Sequence, residues 1–309
     1  MDYLFIGAGL LLLFFGGEGL VRGSVSLACR LSLSPLLVGL VIVGFGTSSP
    51  ELLVSVQAAL RGSPDIAIGN VVGSNIANIL LILSIVILLA PIRHDLRGAR
   101  RDTVAMGLSA VGVLIVAING TIGRWEGAVL LALLVGYLGW SYLLDRRANR
   151  SPAEEEAPAP LTSLPLSLVF ALVGLAALVG GADLLVRGAV SVARHYGLSE
   201  AIIGLTLVAI GTSLPELAAS AVAALRRQPD VVVGNVVGSC LFNSLGILGI
   251  TGLIAPIPVG PAFRTAELPI MIAVSAALLV LIILKIPLGR TVGAALLAGY
   301  AAYIWHLFP

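Results

Sequence analysis

One stretch of this chain occurs twice, and both copies place a glutamate after a proline inside an apolar run. The first reads Gly46-Thr47-Ser48-Ser49-Pro50-Glu51 and the second Gly211-Thr212-Ser213-Leu214-Pro215-Glu216. Each is followed by the same partner, Gly69-Asn70-Val71-Val72-Gly73-Ser74 and Gly234-Asn235-Val236-Val237-Gly238-Ser239, at a constant offset of 165 residues. Of the 46 positions from Gly46 to Pro91, 27 are identical to Gly211–Pro256. Shared apolar composition does not explain this, because Thr, Ser, Pro, Glu, Asp and Asn match as well. The two halves are a duplication, and whatever fold one adopts the other must approximate.

The surroundings of the motif decide the solvent. The chain is 58% hydrophobic and only 11% charged, with a mean hydropathy of +1.07, whereas soluble domains carry about 25% charged residues. An all-α integral membrane protein follows. Its 309 residues leave room for ten spans of ~20 residues. Apolar segments fall near 3–29, 35–60, 66–90, 103–119 and 127–144, and again near 166–192, 199–225, 231–255, 267–285 and 291–307. The expected organisation is a first repeat over 1–144, a linker over 145–165 rich in charge, Pro and Ala, and a second repeat over 166–309. The first apolar run continues through Gly16-Gly17-Glu18 with no basic start or small-residue cleavage site, so it reads as a span and not a leader. Nothing suggests a soluble domain, a nucleic-acid surface or an obligate protein partner. The two cysteines, Cys29 and Cys240, lack ligand spacing and read as small apolar residues.

Five spans per half is an odd number, so the second copy enters the membrane upside down. The halves are then related by a pseudo-two-fold axis in the membrane plane, and a site built from both falls near the midplane. Lys and Arg set the orientation. With the N-terminus outside, 13 of the 18 basic residues face the cytoplasm and 5 face out. Both termini are expected outside and the linker inside, in a multi-pass cell (inner) membrane protein.

Thr47, Ser48 and Glu51 cluster within one helical turn, as do Thr212, Ser213 and Glu216. Pro50 and Pro215 deprive the carbonyls of Gly46 and Gly211 of a donor, and an unwound turn there would aim carbonyls into the site. The next span adds Ser74 and Asn78, and in the second half Ser239 and Asn243, each pair one turn apart. Every donor in this set is oxygen, which suits Ca²⁺ or Na⁺ and not zinc or copper. Two glutamates neutralise one Ca²⁺; three Na⁺ would leave one positive charge in excess. Taken singly, Ser and Thr in membrane helices bond their own backbone and Asn bridges helices. Two buried carboxylates on duplicated copies, each costing ~2.5–3.5 kcal/mol or more in hydrocarbon, require a use. Glu18 and Asp183 form a second matched pair, followed by Arg22 and Arg187 at i+4. Helical ion pairing is the simple reading, and an ion-access or gating role is the alternative. Asp65 and Asp230 follow prolines and read as helix N-terminal residues. No His-Glu-x-x-His motif exists and no His accompanies a membrane Ser, which argues against an enzyme.

These motifs resemble the alpha repeats of the cation/Ca²⁺ exchanger superfamily, in its prokaryotic Na⁺/Ca²⁺ antiporter branch. The resemblance implies a core of spans 2, 3, 7 and 8 that holds one Ca²⁺ site with Na⁺ sites around it. It makes Glu51 and Glu216 the central ligands. Thr47, Ser48, Ser74, Thr212, Ser213 and Ser239 flank them, and Asn78 and Asn243 complete the ring. It also makes the Gly44 and Ala209 carbonyls Na⁺ ligands, and spans 1 and 6 long gating helices whose glycines permit sliding. Some members carry Asp at the position of Asn243, so this site holds two carboxylates and not three. Cys240 and Phe242 replace Asn75 and Ala77 of the first half, so the site need not be symmetric. The expected function is electrogenic Ca²⁺ export against Na⁺ by alternating access, with no cofactor beyond the transported ions. The alternatives are an H⁺/Ca²⁺ exchanger on the same scaffold and a passive cation channel.

Overall fold

A computed structural model describes residues 2–31, 33–92, 98–148, 163–195 and 209–307. The heart of the expected linker and the beginning of the span expected over 199–225 lie outside the described residues. In chain order the helices are α1 (Asp2–Leu31), the bent pair α2 (Leu36–Thr47) and α3 (Ser49–Leu60), α4 (Pro64–Leu89), α5 (Ala99–Val116) and α6 (Arg124–Ala148). There follow α7 (Leu164–His195), α8 (Ala209–Thr212), α9 (Leu214–Leu225), α10 (Pro229–Ile254), α11 (Phe263–Ile283) and α12 (Arg290–Leu307). The only sheet among the described residues is a two-residue antiparallel pairing of β1 (Thr121–Ile122) with β2 (Ile257–Pro258).

The protein is thus all-helical and apolar enough to cross a membrane several times. Six described helices, α1, α4, α6, α7, α10 and α11, are long and apolar enough to do so, and the α2–α3 pair makes a seventh. The sequence led to an expectation of ten. Helices α5 and α12, at 18 residues each, are less apolar: α5 opens on Arg100, Arg101 and Asp102, and α12 is rich in Gly, Ala and Tyr. Helix α9 has only 12 residues.

Burial separates a core from a periphery. The most apolar window of α10 is 94% buried and that of α4 is 78% buried, against 22–33% for α1, α6, α7 and α11. The outer helices therefore face lipid on most of their surface, while α4 and α10 are enclosed by protein.

Helices α1 and α7 run antiparallel and pack along their length. A Cβ on Gly9 would lie 2.7 Å from the Gly181 carbonyl, and one on Gly16 would lie 2.8 Å from the Gly174 carbonyl. Near one end Ser26 and Ser167 share a hydrogen bond of 2.7 Å, and near the other Ser191 donates to Asp2 at 2.8 Å. Shifted by the 165-residue offset, Gly9 becomes Gly174 and Gly16 becomes Gly181. The two glycine contacts therefore exchange places. At 30 residues, α1 is ~45 Å long, more than the ~30 Å of a hydrocarbon core, so it must lie tilted.

The core helices are interrupted where the repeats carry polar residues. Between α2 and α3 the chain bends by 45° at Ser48, whose φ of −83° and ψ of 10° leave the helix. Ser213 repeats this between α8 and α9 with φ −91° and ψ 4°. Pro50 and Pro215 then fall in the first turn of α3 and α9, where the missing N–H is not needed. The break thus lies at the serines and not at the Gly44–Gly46 turn. The earlier turn, Gly39–Gly44, widens to i→i+5 hydrogen bonding. The same widening occurs at Asn78–Ile82 and Phe242–Ile247, so Asn78 opens one wide turn and Asn243 lies within another. Wide turns of this kind are common at functional sites.

Candidate ion-binding site

The breaks at Ser48 and Ser213 put Glu51 and Glu216 in the first turns of α3 and α9, where a carboxylate also meets the positive end of the helix dipole. Both are buried, at 1% and 2% exposure. Glu216 is held by the other half: Ser48 Oγ donates to its Oε1 at 2.9 Å. Ser213 lies beside the Glu51 carboxylate. Thr47 lies within reach of Glu216 as well.

Two other flanking hydroxyls spend their protons on backbone. Thr47 Oγ1 donates to the carbonyls of Val43 (2.9 Å) and Gly44 (3.3 Å) and lies 3.3 Å from Asn235 Oδ1. Ser239 Oγ donates to the Gly44 carbonyl at 3.1 Å. Oxygen lone pairs remain on both hydroxyls. The Gly44 carbonyl therefore sits at the junction of the two halves and not in an open turn. Ser74 is buried, Thr212 is half-buried, and Ala209 opens α8. Asn78 borders the Cys240 thiol. Glu51 Oε2, Glu216 Oε2, Asn78 Oδ1 and Asn243 Oδ1 are all buried and lack a hydrogen-bond donor among the described residues. Four buried oxygens left without donors would be costly, and all four are of the hard kind that coordinates Ca²⁺ or Na⁺. Glu18 and Asp183 are instead engaged in ion pairs, Glu18 with Arg22 and Arg226 and Asp183 with Arg187.

Two further pairs of residues shape the site, and the sequence reading had not assigned them a role. Asn70 Nδ2 donates to the Glu51 carbonyl (3.0 Å) and to Ser55 Oγ (2.9 Å). Asn235 Nδ2 donates to the Glu216 carbonyl (3.1 Å) and to Ser220 Oγ (2.7 Å). These clips tie each glutamate-bearing turn to the next core helix. Their signal was available, since Ser55 and Ser220 also obey the 165-residue offset, but a lone Asn–Ser pair looks like ordinary helix packing. Asn235 carries more than Asn70, because its Oδ1 also faces Thr47. Asn235→Ala is expected to weaken apparent Ca²⁺ affinity by about tenfold, as the loss of one buried hydrogen-bonding network member would. Asn70→Ala should weaken it less, and ⁴⁵Ca²⁺ uptake titrations on the two variants measure the difference.

The sequence profile described as "Sodium/calcium exchanger protein" matches residues 1–143 and again 166–308. The chain belongs to the sodium/calcium exchanger family. Among similar proteins, the antiporter CaxA of Alkalimonas amylolytica is 37% identical over 99% of this chain and 98% of its own. Sodium/calcium exchanger MaX1 of Methanosarcina acetivorans is 30% identical over 100% of this chain and 99% of its own. Among solved structures, the sodium-calcium exchanger NCX_Mj superposes with a TM-score of 0.86 at 31% identity, covering 100% of this chain and 99% of that one. This sodium/calcium exchanger family member is accordingly a multi-pass membrane transporter and not an enzyme. Its two halves also differ beside the site. Phe242 stacks on Phe45 with ring centroids 4.5 Å apart. Asn75 donates to Ser244 Oγ at 2.8 Å, a bond that Cys240 at the matching position does not reproduce.

Proposed function

We propose that the protein is an antiporter that exports Ca²⁺ in exchange for Na⁺, with Glu51 and Glu216 as the shared ligands. The observation that carries this reading is the set of four buried side-chain oxygens without donors, two of them on carboxylates and two on carboxamides. Thr47, Ser48, Ser74, Thr212, Ser213 and Ser239 surround them, and the Gly44 and Ala209 carbonyls extend the oxygen set to Na⁺. Binding one cation displaces the other, because both need the same carboxylates. Two negative charges match one Ca²⁺, and exchange against three Na⁺ moves net charge. Family membership favours Na⁺ over H⁺ as the coupling ion.

The architecture we infer is ten spans in two inverted repeats, 1–144 and 166–309, joined by a cytoplasmic linker over 145–165. Core helices hold the ion and the long helices α1 and α7 act as gates. The exchanged glycine contacts of α1 with α7, the Ser48–Glu216 bond and the matching approach of Ser213 to Glu51 support the inversion. The 13-to-5 split of basic residues supports termini outside.

The test is ⁴⁵Ca²⁺ uptake into proteoliposomes loaded with Na⁺ or with a pH gradient. Uptake is expected to follow an outward Na⁺ gradient, to vanish without Na⁺, and to respond to membrane potential. Uptake driven by the pH gradient alone in Na⁺-free vesicles would transfer the assignment to H⁺/Ca²⁺ exchange.

A further inference from the structure

The strongest asymmetry in the molecule lies outside the ion site. Glu18 on α1 pairs with Arg226, the residue that ends α9, through both guanidinium nitrogens that face it, with Nε–Oε2 at 2.8 Å. Arg22 pairs with the same carboxylate. Glu18 is well shielded, its side chain only 17% exposed. The 165-residue offset maps Glu18 to Asp183, Arg22 to Arg187 and Arg226 to Arg61. The matching bond does not form. Among the described residues Asp183 pairs with Arg187 alone, and its side chain is 53% exposed. Arg61 is exposed and makes no ion pair with any described residue.

Packing shows the same difference. Beside the formed pair, α1 lies directly on α9: a Cβ on Gly17 would come 2.9 Å from Val222 Cγ2 and 3.3 Å from the Ala218 carbonyl. Val222 is 5% exposed. The residues that match Ala218 and Val222 in the first half are Leu53 and Gln57. Leu53 is 60% exposed and Gln57 is exposed too. So α1 is closed on α9, while the equivalent faces of α7 and α3 stand apart.

We propose that Glu18–Arg226 and Asp183–Arg61 are alternating latches between the long helices and the core. This rests on the inverted-repeat reading above. When two halves of opposite orientation exchange conformations, the molecule turns from one facing state to the other. The contact closed here at the cytoplasmic end must then open. Its duplicate closes at the other end, bringing Asp183 to Arg61. Each carboxylate keeps its own i+4 arginine throughout, so neither is left bare when its latch opens. Opening costs only a partly solvated ion pair, which allows the exchange to run in both directions.

Paired cysteine variants test this in a background with Cys29 and Cys240 replaced by Ala, after that background is shown to transport. Glu18→Cys/Arg226→Cys and Asp183→Cys/Arg61→Cys are each treated with a short bifunctional thiol reagent. Both pairs are expected to cross-link, each to block ⁴⁵Ca²⁺ exchange until reduced, and conditions that raise one yield should lower the other. Absence of the 61–183 cross-link in actively transporting protein would overturn the latch. This readout does not depend on which cation is carried, so a failed Na⁺ dependence and a failed latch are separate results. Glu18→Gln, introduced into the Asp183→Cys/Arg61→Cys protein, leaves the cytoplasmic latch without a cysteine and provides a second test. It should shift the balance between the two states by about 3–5-fold toward the 61–183 pair, the range of an incompletely buried ion pair. The charge exchange Glu18→Arg/Arg226→Glu should restore it. Unchanged 61–183 cross-linking in Glu18→Gln would also count against the proposal.

Discussion

Glu51→Gln and Glu216→Gln are each expected to reduce ⁴⁵Ca²⁺ uptake by at least about 100-fold while leaving the fold intact. Glutamine keeps the shape and an acceptor oxygen, so Ser48 retains a partner at position 216. What it removes is one of the two negative charges that neutralise Ca²⁺. Losing one member of a buried charge pair costs ~3–5 kcal/mol, and each 1.4 kcal/mol is about tenfold in affinity. The two carboxylates occupy matching positions of the duplicated sequence and are equally buried, so the two variants should be about equally damaged. The change should appear in Ca²⁺ affinity and transport and not in stability. Removing one buried negative charge beside another relieves repulsion in the ion-free protein, so the thermal midpoint in detergent should hold or rise. A double variant that transports Ca²⁺ within threefold of the native rate would remove both glutamates from the site.

The site was unusually legible because the duplication reports on itself. A single Glu51 in an apolar segment has several explanations; the same glutamate with the same Thr, Ser and Pro at a fixed offset has few. Asn78 and Asn243 were legible for that reason too. What the sequence did not carry was the pairing across halves. Ser48 bonds Glu216 of the other half, and no local periodicity distinguishes that from each serine serving its own glutamate. The helix break was placed one turn early. Pro50 removes a donor from Gly46 in a continuous helix, but once Ser48 leaves the helix, the proline sits harmlessly in the first turn of α3. In the sequence Arg226 counts only as one of the 13 basic residues expected on the cytoplasmic side. Its contact with Glu18, 208 positions away, follows from how α1 crosses α9, which only the packed fold defines.

The two halves meet on glycine, and there the second large effect is expected. A Cβ on Gly174 would lie 2.3 Å from the Leu20 backbone nitrogen and 2.7 Å from the Gly16 carbonyl. One on Gly238 would lie 2.3 Å from the Leu40 carbonyl oxygen. These neighbours are backbone, which no rotamer change can move aside. Gly174→Val and Gly238→Val must therefore push whole helices apart, at a cost above the ~1–3 kcal/mol of ordinary overpacking. The expected result is a fall of at least about 5–10 °C in thermal midpoint or failure to yield folded protein. Gly136→Ala on the exposed face of α6 has no atom within 4 Å and should be neutral or slightly stabilising. The contrast between the two glycines tests the gating scheme. Gly238 lies between α10 and α2, on the core's side of the boundary; Gly174 joins α7 to α1. If α1 and α7 move over the core as one unit, the Gly174 crossing persists through the cycle. Gly16→Val, its partner across that crossing, should then be as damaging as Gly174→Val. If the two helices instead part during transport, the milder Gly174→Ala would hold them apart, and exchange would continue or quicken in the protein that still folds.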